Sequence, residues 1–272
     1  MTNKTNEESQ AKINSAIVYE ELFEPIFQKF AGAAIELTGN ITRNSNVIDI
    51  AAGTGALSLL AAKRGAHVLA VDISQEMLDR LSKRLKSHLN CTVNIMDGQH
   101  LDIPDAAFDV SFSVFGVMIF PDWRKGLQEL ARVTRKGGRG CVVVFHEPYG
   151  IMTPYFEAYQ ISFPEKKIPP LPEGIEVLCS VERLNLEMVK AGFANVDVHE
   201  VSRAREWLTI DEFLIESNRL CAAFFPSTLY TELDDIQRAH FNTSLKKVAE
   251  KYLTDSGLLR MYVDVLVAVG RR

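Results

Sequence analysis

Val47 to Ser74 reads VIDIAAGTGALSLLAAKRGAHVLAVDIS, and this stretch decides the fold. Val47–Ile50 is a short apolar run. Gly53 and Gly55 make a tight turn, an amphipathic stretch follows over Leu57–Arg64, and a second apolar run, Val68–Val71, leads to Asp72. Strand, glycine turn, helix and strand in this order begin a nucleotide-binding α/β unit. Glycines let the backbone approach a ligand closely, and the start of the helix offers unpaired N–H groups to an anion. An acid at the end of the next strand accepts hydrogen bonds from both hydroxyls of a ribose. Asp49, just ahead of the turn, adds a carboxylate able to hold the ammonium end of an amino-acid-bearing cofactor, directly or through water. The structural alternative is a plain turn, with Asp72 capping a helix.

The details narrow the ligand. A dinucleotide fingerprint GxGxxG requires glycine at position 58, which is Ser58. None of the seven tyrosines has a lysine four residues later, so the YxxxK dyad of short-chain dehydrogenases is missing, and no Walker-type GxxxxGK[ST] occurs.

Working outward, further short apolar runs follow at Val93–Met96, Val110–Val114 and Cys141–Phe145, and strands are expected at Val196–Val201 and Met261–Val269. Amphipathic stretches at Gln75–Leu89 and Trp123–Thr134 separate the first of them. Such alternation predicts parallel strands joined by right-handed crossovers, with helices on both faces. Ser74 is placed to cap one helix, and Gly137 with Gly138 to end another. Residues 10–38 carry apolar positions at helical spacing from Ile13 to Ile35, interrupted near Pro25. Residues 148–175 hold six prolines among aromatics and predict an irregular segment with one short helix near Tyr155–Ile161. Helices are expected at Val181–Ala191, Asp211–Phe224 and Leu229–Leu253. The expected fold is α/β: a seven-stranded, mostly parallel Rossmann-like sheet with a helical cap.

Composition excludes other classes. Of 272 residues, 47% are apolar and 24% charged, the balance of a globular chain. Thirty basic against thirty-five acidic residues give a net charge of −5, so phosphate polymers are not attracted as a whole and nucleic acid is disfavoured as a partner. The polar start lacks a secretory apolar core, and no eighteen-residue apolar run predicts a membrane span. The four cysteines, Cys91, Cys141, Cys179 and Cys221, form no CxxC pair, which argues against zinc or a disulfide framework and for the cytoplasm. No His, Cys or acidic cluster shows metal-ligand spacing, so metal dependence is not expected.

DIAAGTG, the acid Asp72, MDGQHLDIPDAAFDV (Met96–Val110) and SVFGVMIFPDWRKGLQELARVTRKGGRG (Ser113–Gly140) together resemble class I S-adenosylmethionine-dependent methyltransferases. The small-molecule branch that includes quinone-biosynthesis methyltransferases is the nearest in flavour. The likeness spans residues 47–146, and beyond Phe145 it holds in layout only. Ala51 stands where many members have glycine. The resemblance implies that Asp49, Ala51, Gly53 and Gly55 surround the methionine moiety and that Asp72 takes the ribose diol. It implies that Ile73 and Met77 pack on the adenine, that Asp97 accepts from its exocyclic amine beside the Gly98 backbone, and that Ser113 and Phe115 border the sulfonium. Tyr19 sits where relatives close the cofactor pocket; a helix-packing tyrosine is the alternative. Ile73 and Met77 likewise suit ordinary core packing.

Methyl transfer from a sulfonium is an in-line displacement that asks the protein mainly to orient the nucleophile and exclude water. A hydroxyl acceptor benefits from a general base. His146, at the carboxyl edge of the fifth strand, is the candidate; otherwise it is a strand-end histidine bonded to a carbonyl. The expected layout is one methyltransferase domain over 1–272: an N-terminal helical lid (1–45), a cofactor-binding core (46–146), and cap insertions with the last strands (147–272). The expected activity is methylation of a small-molecule acceptor, with S-adenosyl-L-homocysteine as product. An NAD(P)-dependent oxidoreductase and a non-catalytic cofactor-binding regulatory subunit are the alternatives; intact Asp49, Gly53, Gly55, Asp72 and Asp97 argue against the second. An amino-methylating nucleic-acid enzyme would carry an NPPY-like run where this chain has SVFG. The sequence sets neither the acceptor nor the oligomeric state.

Overall fold

The computed structural model describes residues 15–39, 41–224 and 227–272, apart from the side chains of 227 and 228. Ile13 and the start of the 10–38 helical pattern lie outside the described residues. Seven strands among them form one sheet: β1 (Asn46–Ile50), β2 (His67–Asp72), β3 (Cys91–Ile95), β4 (Phe108–Val114), β5 (Thr134–Phe145), β6 (Ala194–Trp207) and β7 (Leu259–Arg271), in the order β3-β2-β1-β4-β5-β7-β6. The pairs β1–β2, β1–β4, β2–β3 and β4–β5 are parallel, and β5–β7 is antiparallel. Val47 and Ile48 of β1 are fully buried, as a central parallel strand requires. The chain runs outward from β1 through β2 to β3, then returns to the other side of β1 as β4. That reversal opens a crevice beyond the carboxyl ends of β1 and β4, where open α/β sheets bind ligands.

The helices are α1 (Glu24–Thr38), α2 (Ser58–Lys63), α3 (Gln75–Arg84), α4 (Trp123–Val133), α5 (Thr153–Ser162), α6 (Glu173–Leu178), α7 (Val181–Ala191), α8 (Ile210–Phe224), α9 (Ser227–Thr231) and α10 (Asp235–Glu250). Ser74 caps α3, its side chain accepting from the Met77 N–H, and Asp122 caps α4 through the Lys125 N–H. Gly192, at φ 112°, ends α7 in the left-handed conformation that glycine adopts without strain.

The sheet departs from the sequence reading at one glycine pair. Gly137 and Gly138 do not end α4, which stops at Val133; they lie inside β5. Thr134 pairs with Phe108 and Arg139 with Val110, so the intervening residues bulge from the ladder, with Gly137 at φ 77°. Two differences concern helices. The segment expected as Leu229–Leu253 is broken at Leu233–Asp234, where the Asp234 side chain opens a capping box for α10. The proline-rich stretch contains a second helix, α6, which starts directly after Pro172.

The chain divides into two compact units. One comprises Glu24–Pro148, Leu171–Val201 and Asp264–Arg272. Helix α1, grouped with the N-terminal lid on sequence, packs against β5 within this unit. The other contains the described part of Met1–Phe23, Tyr149–Pro170 and Ser202–Val263. In it α10 packs along α5, and Tyr159, Phe213 and Phe241 are buried. Among the described residues no helix is long and apolar enough to cross a membrane.

Candidate active site

Asp49 lies level with Ala70 of β2 and Phe112 of β4, one step before the end of β1. It is 2% exposed, and its Oδ2 accepts from the Ser58 N–H (3.1 Å) and the Ser58 hydroxyl (2.6 Å). Burial pushes the carboxyl up to about 6; the two Ser58 bonds oppose that rise and the nearby Asp72 charge adds to it. Ser58, which breaks the dinucleotide fingerprint, thus fixes the acid that precedes the turn.

Beyond Ile50 the chain turns through Ala51, Gly53 and Gly55, all at positive φ (61°, 54° and 102°). Ala51 holds a left-handed conformation that glycine adopts more easily. A β-carbon on Gly55 would lie 2.3 Å from Leu81 Cδ1 of α3, so helix packing closes that position to larger residues. Asp72 ties the end of β2 to the turn: its Oδ2 accepts from the Gly53 N–H and its Oδ1 from the Ser74 N–H, each at 2.8 Å. Ile73 beside it is 72% exposed, an apolar side chain left open next to a carboxylate, and Met77 is half-buried in the first turn of α3.

The Met96 N–H donates to the Asp72 carbonyl (3.0 Å), which brings the following residue, Asp97, to the same edge. Its Oδ1 accepts from the Gln99 backbone N–H and side-chain amide, each at 2.9 Å. These bonds, the backbone one first, hold the Asp97 carboxyl below the usual range. Gly98 has no room for a side chain: a β-carbon would meet the Phe120 ring at 2.6 Å and Ile50 Cγ2 at 2.8 Å.

At the end of β4, buried Ser113 accepts the Val117 N–H through its Oγ (3.0 Å). Phe115 is at φ 58°, an uncommon conformation for an aromatic residue, held by its N–H to the Val143 carbonyl (2.9 Å). Its ring stacks on Phe27 at 4.3 Å between centroids and lies 4.8 Å from Phe145 and 5.8 Å from Phe30. A β-carbon on the next residue, Gly116, would be 2.4 Å from the Ala51 β-carbon. His146, half-buried, follows Phe145, and its backbone N–H donates to the Asp264 carbonyl (3.0 Å). Tyr19 belongs to the other unit, in a π-helical turn over Tyr19–Phe23, with its ring 5.8 Å from Phe23 and 6.0 Å from Phe224.

The structure thus joins Asp72 to the glycine turn and sets Asp49, Ala51, Asp97, Gly98, Ser113 and Phe115 on the carboxyl edge of one sheet. Sequence reasoning missed the neighbours that hold them: Ser58, Gln99, the phenylalanines around Phe115, and Glu24 with Arg84. Glu24 did leave a signal, since it shares the apolar helical stripe of Phe27 and Ala31.

Comparison with known proteins agrees with this architecture. A model of a methyltransferase domain matches residues 47–138. The chain is 31% identical over 180 residues to a demethylmenaquinone methyltransferase of Tropheryma whipplei, a match covering 62% of this chain and 74% of that protein. Two solved structures share the fold. The YcgJ protein from Bacillus subtilis aligns with a TM-score of 0.57 at 16% identity, over 89% of this chain and 97% of its own. Phosphoethanolamine N-methyltransferase 2 of Haemonchus contortus, in complex with S-adenosyl-L-methionine, aligns with a TM-score of 0.54 at 17% identity, over 90% of this chain and 52% of its own. With a relative of that identity over that span, the chain belongs to the class I S-adenosylmethionine-dependent methyltransferases.

Proposed function

We propose that this methyltransferase acts in the cytosol on a small-molecule acceptor and grips its cofactor along the carboxyl ends of β1, β2 and β4. The observation that carries the reading is the Asp72 carboxylate. Two backbone N–H groups orient it at the lip of the glycine turn, and each oxygen keeps a lone pair for a ribose hydroxyl. Other residues suit the same ligand. Asp49 supplies negative charge for an ammonium group. Ile73 and Met77 offer apolar surface to an adenine ring, and Asp97, whose carboxyl the Gln99 bonds hold below the usual range, accepts from its amine beside Gly98. Ala51, Gly53 and Gly55 let the backbone approach the methionine portion. Ser113 and Phe115 border the sulfonium.

When bound, S-adenosylmethionine would supply a methyl group activated on sulfur, with the neutral thioether of S-adenosylhomocysteine as the leaving group. The protein's share is orientation and exclusion of water. The ring of Phe115, backed by Phe27 and Phe145, gives that region a dry wall. His146 takes the proton when the acceptor is a hydroxyl. The four cysteines are free thiols, in keeping with a reducing compartment.

Calorimetric titration with S-adenosylhomocysteine, followed by a metabolite screen scored for release of that product, tests the reading. Saturable binding and turnover of a small acceptor are expected. Binding of a nicotinamide dinucleotide in its place would overturn the cofactor assignment, and turnover confined to nucleic acid would overturn the acceptor class.

A further inference from the structure

Glu24, the first residue of α1, is 2% exposed, and both its oxygens are engaged by Arg84 from the last turn of α3. The Arg84 Nη2 lies 2.6 Å from Glu24 Oε1 and the Nη1 2.6 Å from Oε2. Gln28 Nε2 adds a bond to Oε1 at 2.9 Å. A buried carboxylate pays a desolvation cost that its partner only offsets, so helix-to-helix fastening alone is a weak reason for such a pair. Here both partners converge on one residue of the glycine turn. The Thr54 hydroxyl donates to Glu24 Oε2, and Arg84 Nη1 donates to the Thr54 carbonyl at 2.9 Å.

Thr54 is fully buried and stands between Gly53 (φ 54°) and Gly55 (φ 102°). Two flanking glycines give the turn the freedom it needs to approach a ligand, and they also leave its shape undetermined by local sterics. The turn is therefore fixed from outside: by Leu81 under Gly55, by Asp72 on the Gly53 N–H, and by the ion pair on Thr54. We propose that Glu24 and Arg84 are positioning residues that hold Thr54, and so preset the glycine turn in the conformation that binds the cofactor. This rests on the reading of that turn as the cofactor cradle.

The test is calorimetric titration of the full chain with S-adenosylhomocysteine, using Arg84→Met, Thr54→Val and Thr54→Ser, well below the melting point of each variant. Arg84→Met and Thr54→Val are expected to raise Kd by about tenfold, the scale of one lost charge-assisted hydrogen bond. Thr54→Ser keeps the hydroxyl and should bind within about twofold of the wild type. A pair that served stability alone would lower the melting temperature and leave Kd of the folded variants unchanged; that result overturns the proposal. If Arg84→Met does not fold, the two Thr54 variants decide by themselves, because equal Kd values for both would overturn it. A wild-type chain that does not bind at all would remove the cofactor reading itself, and the clamp with it.

Discussion

At Asp49, stability and the proposed ligand role oppose each other. Burial raises its carboxyl to about 6, so the folded chain holds this proton more tightly than the unfolded chain, whose value is 3.8. The cost of ionised Asp49 therefore grows as pH climbs through that window and is complete above it, on the order of 3 kcal/mol. Asp49→Asn should raise the melting temperature near neutral pH, with the gain vanishing below the window, while S-adenosylhomocysteine affinity is lost. Melting curves across pH, paired with calorimetry, check both halves. Asp72 behaves differently, being half-exposed and bonded to the turn. Asp72→Ala removes the two acceptors proposed for the ribose, each worth about 1.5–3 kcal/mol, and is expected to raise Kd at least about a hundredfold. Near wild-type affinity in that variant would refute the ribose assignment.

Among the elements, α4 supports the site without belonging to it. Glu129, 4% exposed, accepts from the Leu101 N–H (2.9 Å) and Arg132 Nη2 (2.7 Å), while Arg132 also donates to the Leu101 and Ile103 carbonyls. These bonds hold the segment that follows β3, and that segment includes Asp97 and Gly98. The Arg132 hydrogen bond, with the Leu101 N–H, lowers the Glu129 carboxyl to about 2. Its contribution to stability is present above the unfolded value of 4.5 and is lost as pH falls toward the folded one. Glu129→Gln should cost about 2 kcal/mol near neutral pH, and the deficit should shrink in acid; urea unfolding at several pH values measures it.

Elements were legible in the sequence where their causes are local. Strand runs, the Ser74 cap and the Gly192 stop are written in neighbouring residues. The Gly137–Gly138 pair misled because glycine after a helix reads as a stop, whereas here it lets β5 bulge between two ladder pairs. Helix α6 hid behind Pro169, Pro170 and Pro172, yet proline is tolerated at a helix start, where its missing N–H is not needed. For the site, Asp49, Asp72 and the turn were legible because one short motif carries them. The clamp was not: Thr54 lies 30 residues from both Glu24 and Arg84, a distance that only tertiary folding closes.

For the whole molecule, the two compact units are each assembled from chain segments that are far apart in sequence, and the unit holding the glycine turn also includes the closing residues of β7. Ligand taken up by the folded state alone stabilises it by mass action, about 2.7 kcal/mol at a hundredfold excess over Kd. Calorimetric melting with S-adenosylhomocysteine should therefore show a concentration-dependent upward shift in wild type and a much smaller one in Asp72→Ala at the same concentrations.

The near-contact between positions 51 and 116 has a consequence for how this crevice can evolve. The ends of β1 and β4 leave room there for a single methyl group, now supplied by Ala51. Gly116→Ala alone should impair folding, whereas adding Ala51→Gly removes the tightest contact and leaves the Ser113 hydroxyl at 2.8 Å and the Ile50 carbonyl at 3.2 Å to be accommodated. A library randomised at both codons, sorted for soluble expression, should return survivors with a side chain at no more than one of the two positions.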